Sequence, residues 1–122
     1  MSNREVIRQY VEGWKEGDPI KIMSVLADDC EIIESHGPIY RGLEMAEEWV
    51  SSWIKTGKVA KWEIKSFIES GESIVFEWEF AFMSGNESHE ILGISVAKVA
   101  SGKIKELREY RLIQKPFLAG VK

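Results

Sequence analysis

The stretch Ile74-Val75-Phe76-Glu77-Trp78-Glu79-Phe80-Ala81-Phe82-Met83 places Ile74, Phe76, Trp78, Phe80 and Phe82 on one side of an extended chain and Glu77 and Glu79 on the other. That is the period-two alternation of a strand with one face in a core and the other in water. Three more β-rich segments, 59–69, 89–99 and 103–113, surround it, and the turn signals Ser70-Gly71, Ser84-Gly85-Asn86 and Ser101-Gly102 punctuate the four. Segment 89–99 differs from its neighbours. Leu92, Ile94 and Val96 on one face and Ile91, Ala97 and Val99 on the other are both apolar, which predicts a strand covered on both sides. One layer of helices covers only one of them, so a homodimer formed through the outer sheet face is expected.

Ahead of the strands the period changes. Ser2 and Glu5 form a capping-box pattern, and Val6, Ile7, Tyr10, Val11 and Trp14 then make the apolar stripe of a helix that Gly17 ends. Asp18-Pro19 opens a short second helix with Ile22, Met23, Val25 and Leu26, broken at Ala27-Asp28-Asp29. A short strand is predicted over 30–34, then an irregular loop at Ser35-His36-Gly37-Pro38. From Leu43 onward Ala46, Trp49, Val50, Trp53 and Ile54 mark a third helix, closed by Thr56-Gly57. Helices first and strands later is an α+β order, read here as one domain over 1–122.

Composition narrows the partners. Sixteen basic against twenty acidic side chains give a net charge of -4, so the electrostatic footprint for nucleic acid is missing. Lysines interleaved with glutamates mark a solvated surface and not a membrane-binding one. The single cysteine, Cys30, leaves no internal disulfide, and no apolar leader or membrane-length run is seen, so a cytoplasmic protein is expected. His36 and His89 lack an acidic or cysteine cluster at ligand spacing, and there is no phosphate loop, G-x-S-x-G or H-E-x-x-H. No metal and no cofactor are expected. Five Trp, three Tyr and five Phe exceed what so small a core needs; Trp14, Trp49, Trp53, Phe76, Trp78 and Phe80 are the candidates for lining a cavity that takes a small, flat, apolar molecule.

Val6-Ile7-Arg8-Gln9-Tyr10-Val11, Gly17-Asp18, Leu26-Ala27-Asp28-Asp29 and Cys30-Glu31-Ile32-Ile33-Glu34 resemble the opening of the ketosteroid isomerase and SnoaL-like polyketide cyclase branches of the nuclear transport factor 2-like superfamily. Gly93-Ile94-Ser95-Val96, Ser101-Gly102-Lys103-Ile104 and Arg108-Glu109-Tyr110 resemble its last hairpin. The resemblance implies a strongly curved, mixed or antiparallel sheet wrapped around the three N-terminal helices as a cone-shaped barrel, with a deep apolar pocket inside.

The same resemblance implies site residues. Tyr10 matches an oxyanion-binding tyrosine and Glu34 a general base, a logic in which a carboxylate removes a proton while donors hold the developing oxyanion. Cys30, Ile32 and Glu34 share strand parity, so the Glu34 carboxyl is expected to point with apolar side chains. Ser95 matches a second oxyanion donor that the isomerases supply as a protonated aspartate. A hydroxyl is the weaker donor, which turns the expectation away from steroid isomerisation itself. Glu109 matches an acidic residue of the cyclase branch, whose accompanying histidine is Leu107 here. Three functions stand side by side: a cofactor-free isomerase or cyclase transferring a proton on an apolar carbonyl or polyketide-like substrate, a non-catalytic binding protein, and a cofactor-free hydrolase using Glu109 beside Arg111.

Overall fold

The computed structural model describes residues 1–120. Helix α1 (Asn3–Glu16) starts at the Ser2 capping box, with Ser2 and Glu5 each bonding the other's backbone N–H, and stops at Gly17 in the left-handed conformation. Asp18 caps α2 (Pro19–Met23) through the backbone of Lys21. Strands β1 (Leu26–Ile33) and β2 (Ile39–Arg41) precede α3 (Gly42–Thr56), and β3 (Gly57–Ser70), β4 (Ser73–Ser84), β5 (Glu87–Ala100) and β6 (Lys103–Arg111) complete the chain. The six strands form one mixed sheet in the order β2-β1-β6-β5-β4-β3, antiparallel except between β1 and β6. Among the described residues no helix is long and apolar enough to cross a membrane.

Five details depart from the sequence reading. Strand β1 begins at Leu26 and not at Cys30. Asp28 and Asp29 do not break the chain, because they face outward where the β1–β6 register slips between Leu26 and Glu31, and Asp29 pairs with Lys105 at 3.1 Å. The three-residue β2 was not anticipated; it returns the chain beside Ile32 and Ile33. Strand β6 ends at Arg111, leaving Leu112 and Ile113 in the exposed tail. Finally, the sheet is curled but open, with β2 and β3 as its free edges, so the expected barrel does not close.

The curl has a local cause. In β3 the inward residues are Val59, Trp62, Ile64 and Phe67, opposite Phe82, Phe80, Trp78 and Phe76. Their spacing of three, two and three arises because the register shifts twice, between Val59 and Lys61 and between Ile64 and Ser66. Each bulge bends the strand and adds twist, turning the sheet's concave face onto α1 and α3. The core on that face combines Val6, Ile7 and Tyr10 with Ile32, Ile74, Phe76, Ile104 and Leu107, all 1% exposed or less.

At the sheet centre Trp78 lies across Gly93, its partner on β5. A Cβ on Gly93 would sit 2.7 Å from the Trp78 ring and collide with the Tyr110 carbonyl. The ring ends in a buried bond, Trp78 Nε1 donating to Ser95 Oγ at 2.9 Å. Gly93→Ala is therefore expected to lower stability by about 2–3 kcal/mol through overpacking. Urea unfolding of the variant measures this, and an unchanged midpoint would show that Trp78 does not need the missing side chain.

Candidate active site

One end of the concave face is filled and the other is not. There the cone holds a cavity of about 890 Å³, within the range of small-molecule sites. Helix α1 contributes Tyr10 and Trp14, one turn apart, and α3 contributes Trp49 and Trp53 at the same spacing. The sheet supplies Trp62, Trp78, Phe80, Phe82 and Ile91. The rings brace one another: Trp14 meets Trp49 at 5.1 Å and Trp53 at 5.3 Å, and Trp62 meets Phe80 at 5.2 Å. Edge-on and tilted contacts of this kind suit the aromatic quadrupole and stiffen the wall. The indole N–H groups of Trp14 and Trp62 are buried without a hydrogen-bond partner, an arrangement that leaves two donors at the cavity unsatisfied.

Two carboxyls enter this apolar enclosure. Glu109 stands on β6 with Leu107 and Arg111 on its side of the strand, opposite Ser95 of β5. Burial among the rings is the larger cause, and the nearby charge of Glu34 the smaller, of a pKa raised from the ordinary 4.5 to about 8. At neutral pH Glu109 is a carboxylic acid, a hydrogen-bond donor. Tyr10 is fully enclosed, and burial, followed by the charge of Glu109, holds its hydroxyl well above 10. Glu34 follows the last residue of β1, inside a turn in which its N–H donates to Pro38 O at 2.9 Å and its own carbonyl accepts from Gly37 N at 3.0 Å. Its Oε1 accepts from the Tyr40 hydroxyl at 2.7 Å. Burial, then this bond, pushes the Tyr40 phenol well up.

Of the residues singled out from sequence, Tyr10, Glu34, Glu109, Trp14, Trp49, Trp53, Trp78 and Phe80 all line the one cavity. Ser95 and Phe76 do not. Both are 0% exposed, beneath the wall, and the Ser95 hydroxyl is occupied by Trp78. On the neighbouring strand Glu109, directly opposite Ser95, is the residue that lines the cavity. Tyr40, Trp62 and Phe82 were missed as wall residues. Phe82 carried a readable signal, the β4 alternation; Trp62 is displaced in parity by the first β3 bulge, and Tyr40 lies on a strand too short to read. Among the described residues no group of three or more His, Cys, Asp or Glu could hold a metal ion.

The raised Glu109 pKa is linked to stability. Between about pH 4.5 and 8 the folded chain holds a proton there that the unfolded chain has released. The contribution is whole below pH 4.5 and is lost as pH rises through about 8, by at most roughly 1.4 kcal/mol per pH unit. Glu109→Gln removes this dependence. The stability of the variant relative to wild type is expected to climb from pH 5 to pH 8 and then level off; urea unfolding at a series of pH values tests it, and a constant difference would mean that Glu109 titrates as an ordinary carboxyl.

The model of the SnoaL-like domain family matches residues 7–107. An LEH-like epoxide hydrolase from M. tuberculosis superposes with a TM-score of 0.82 at 16% identity, over 89% of this chain and 81% of that one. A hypothetical protein of ketosteroid isomerase-like fold from Catenulispora acidiphila, solved with trimethylamine, gives 0.79 at 13% identity, over 89% and 86%. A candidate SnoaL-like polyketide cyclase from Mesorhizobium loti gives 0.70 at 22% identity, over 90% and 99%. No curated protein sequence matches. At these identities the structures speak to the fold, and the family match extends over most of the chain: this protein belongs to the SnoaL-like domain family.

Proposed function

We propose that the protein is a cofactor-free acid–base catalyst of the isomerase or cyclase kind, moving a proton on a small, largely apolar carbonyl compound. The observation that carries this reading is the pairing, in one aromatic cavity, of a carboxyl kept protonated by burial, Glu109, with a second carboxyl, Glu34, held by a phenol. Two carboxyls with divergent environments are what acid and base roles require. The substrate's carbonyl oxygen accepts hydrogen bonds from Glu109 and from Tyr10. Glu34 takes a proton from the adjacent carbon, the C–H electrons move into the enolate, and the donors stabilise the new charge where no water competes. Return of that proton to a different carbon isomerises the substrate; attack by the enolate carbon on a second carbonyl of the same molecule cyclises it.

A hydrolase reading draws on one further feature, Arg111, which shares the strand face of Glu109 and lines the same cavity. In that reading Glu109 protonates the departing oxygen and Glu34 activates water.

The base can be tested without the natural substrate. 5-Nitrobenzisoxazole is opened by removal of one ring proton, which breaks the N–O bond and yields a coloured phenolate. The wild type is expected to open it with saturation, Glu34→Gln to lose about 10²–10⁴ of the rate, and Glu109→Gln a smaller factor. The wild-type rate should fall as pH rises through about 8, where Glu109 loses its proton. Equal rates in all three proteins would leave a binding role for the cavity.

We infer as well that two copies pair through the convex sheet. On that face Leu92, Ile94 and Val96 of β5 lie beside Tyr110 and Arg108 of β6, with Ile94 and Tyr110 38% and 51% exposed. Among the described residues nothing covers the apolar surface of Ile94 and Tyr110. Light scattering at micromolar concentration is expected to give a dimer for the wild type and a monomer for Ile94→Glu; a monomeric wild type would refute the pairing.

A further inference from the structure

We propose that Tyr40 is a positioning residue, one that fixes the orientation of the Glu34 carboxylate toward a bound substrate; the inference rests on the reading of Glu34 as the base. The backbone of Glu34 is tied down on both sides, by its N–H to Pro38 and by its carbonyl from Gly37. Its side chain is not. Among the described residues the Tyr40 hydroxyl is the only side-chain group that bonds the carboxyl, engaging Oε1 at 2.7 Å and leaving Oε2 free. A glutamate with one oxygen engaged cannot turn without breaking that bond, so the free oxygen keeps one direction.

Tyr40 can hold because it is itself held. It sits on β2, paired with Ile32 of β1, and its ring stacks on Trp49 of α3 with centroids 4.5 Å apart and planes 16° from parallel. Strand β2 and helix α3 follow one another directly, so a three-residue strand and the first two turns of the helix bring the phenol to the carboxylate. This gives β2 a role that its slight contribution to the sheet does not explain. It also sets a requirement on Trp49: one face of that indole supports Tyr40, and the rest remains for the cavity.

Orientation and basicity are separable by experiment. In Tyr40→Phe the ring and its stack remain and only the donor is lost. With 5-nitrobenzisoxazole, kcat is expected to fall about tenfold or more with KM within about twofold, the size of one hydrogen bond to a charged group. A second readout is independent of turnover. Glu34→Gln removes the acceptor and its charge, so ultraviolet titration should show one of the three tyrosines ionising at lower pH than in wild type, and Tyr40→Phe should abolish that phase. The Glu34 charge also raises the pKa of Tyr10 and of Glu109, so it is the loss of the phase in Tyr40→Phe that assigns it to Tyr40; Glu48, His36 and Arg111 also face this cavity.

If Tyr40→Phe leaves kcat unchanged while Glu34→Gln abolishes turnover, the base reading stands and the positioning role falls. A loss in Tyr40→Phe that appears only in KM or in melting temperature also overturns it, since that is what a purely structural ring would do. Glu34→Gln at the wild-type rate removes the base reading, and the positioning role with it.

Discussion

The structure depends on a gradient of side-chain packing along the inward face of β4. Ile74 and Phe76 are 0% exposed and Trp78 only 4%, whereas Phe80 and Phe82 are partly open. At the closed end, Ile7 of α1 comes down onto the sheet beside Ile104 and Leu107 of β6 and the space is filled. At the open end the rings are too large and too rigid to collapse onto one another. Protein interiors normally pack with few voids. An open cavity persists here because aromatic side chains, braced edge to face, have few rotamers that would fill it.

Much of this was legible in the sequence, and the residues that were not share a cause. The β4 alternation, the Ser2 capping box and the α1 and α3 stripes are periodic signals written by contiguous residues, and each survives in the structure. Trp62 was lost because a bulge changes parity, and a period-two reading has no way to register an extra residue. The β1 start was misplaced because Asp28-Asp29 reads as a helix terminus, whereas a register slip and Lys105 accommodate both aspartates on a strand. Ser95 was placed by alignment to a pattern and lay one strand away from the group that reaches the cavity. Cross-strand neighbours such as Ser95 and Glu109 are 14 positions apart in the chain; no local spacing relates them.

The same apolar wall that keeps the cavity open also sets the chemistry of what enters it. A carboxyl carried inward by β6 loses water and meets the charge of Glu34, so it keeps its proton to about pH 8. Glu34 meets a different surrounding because it follows the end of β1, where the chain turns back through Pro38 into β2 and a phenol is at hand. The contrast between the two acids is thus a consequence of where two strands stop. Lengthening β1 by one residue would place Glu34 within the ladder.

That dependence bears on how one fold hosts different reactions. The closed half, with its core of Val6, Ile7, Ile74 and Leu107, fixes the scaffold, and none of these four lines the cavity. The open half presents residues from α1, α3 and the strand ends, each able to change without disturbing the ladder that supports it. In this chain the acid that faces the cavity stands on β6, directly opposite Ser95 of β5. A donor moved one strand sideways shifts by about 5 Å, about the width of a substrate ring. Such a move keeps an acid facing the same apolar wall while altering the direction from which it reaches into the cavity.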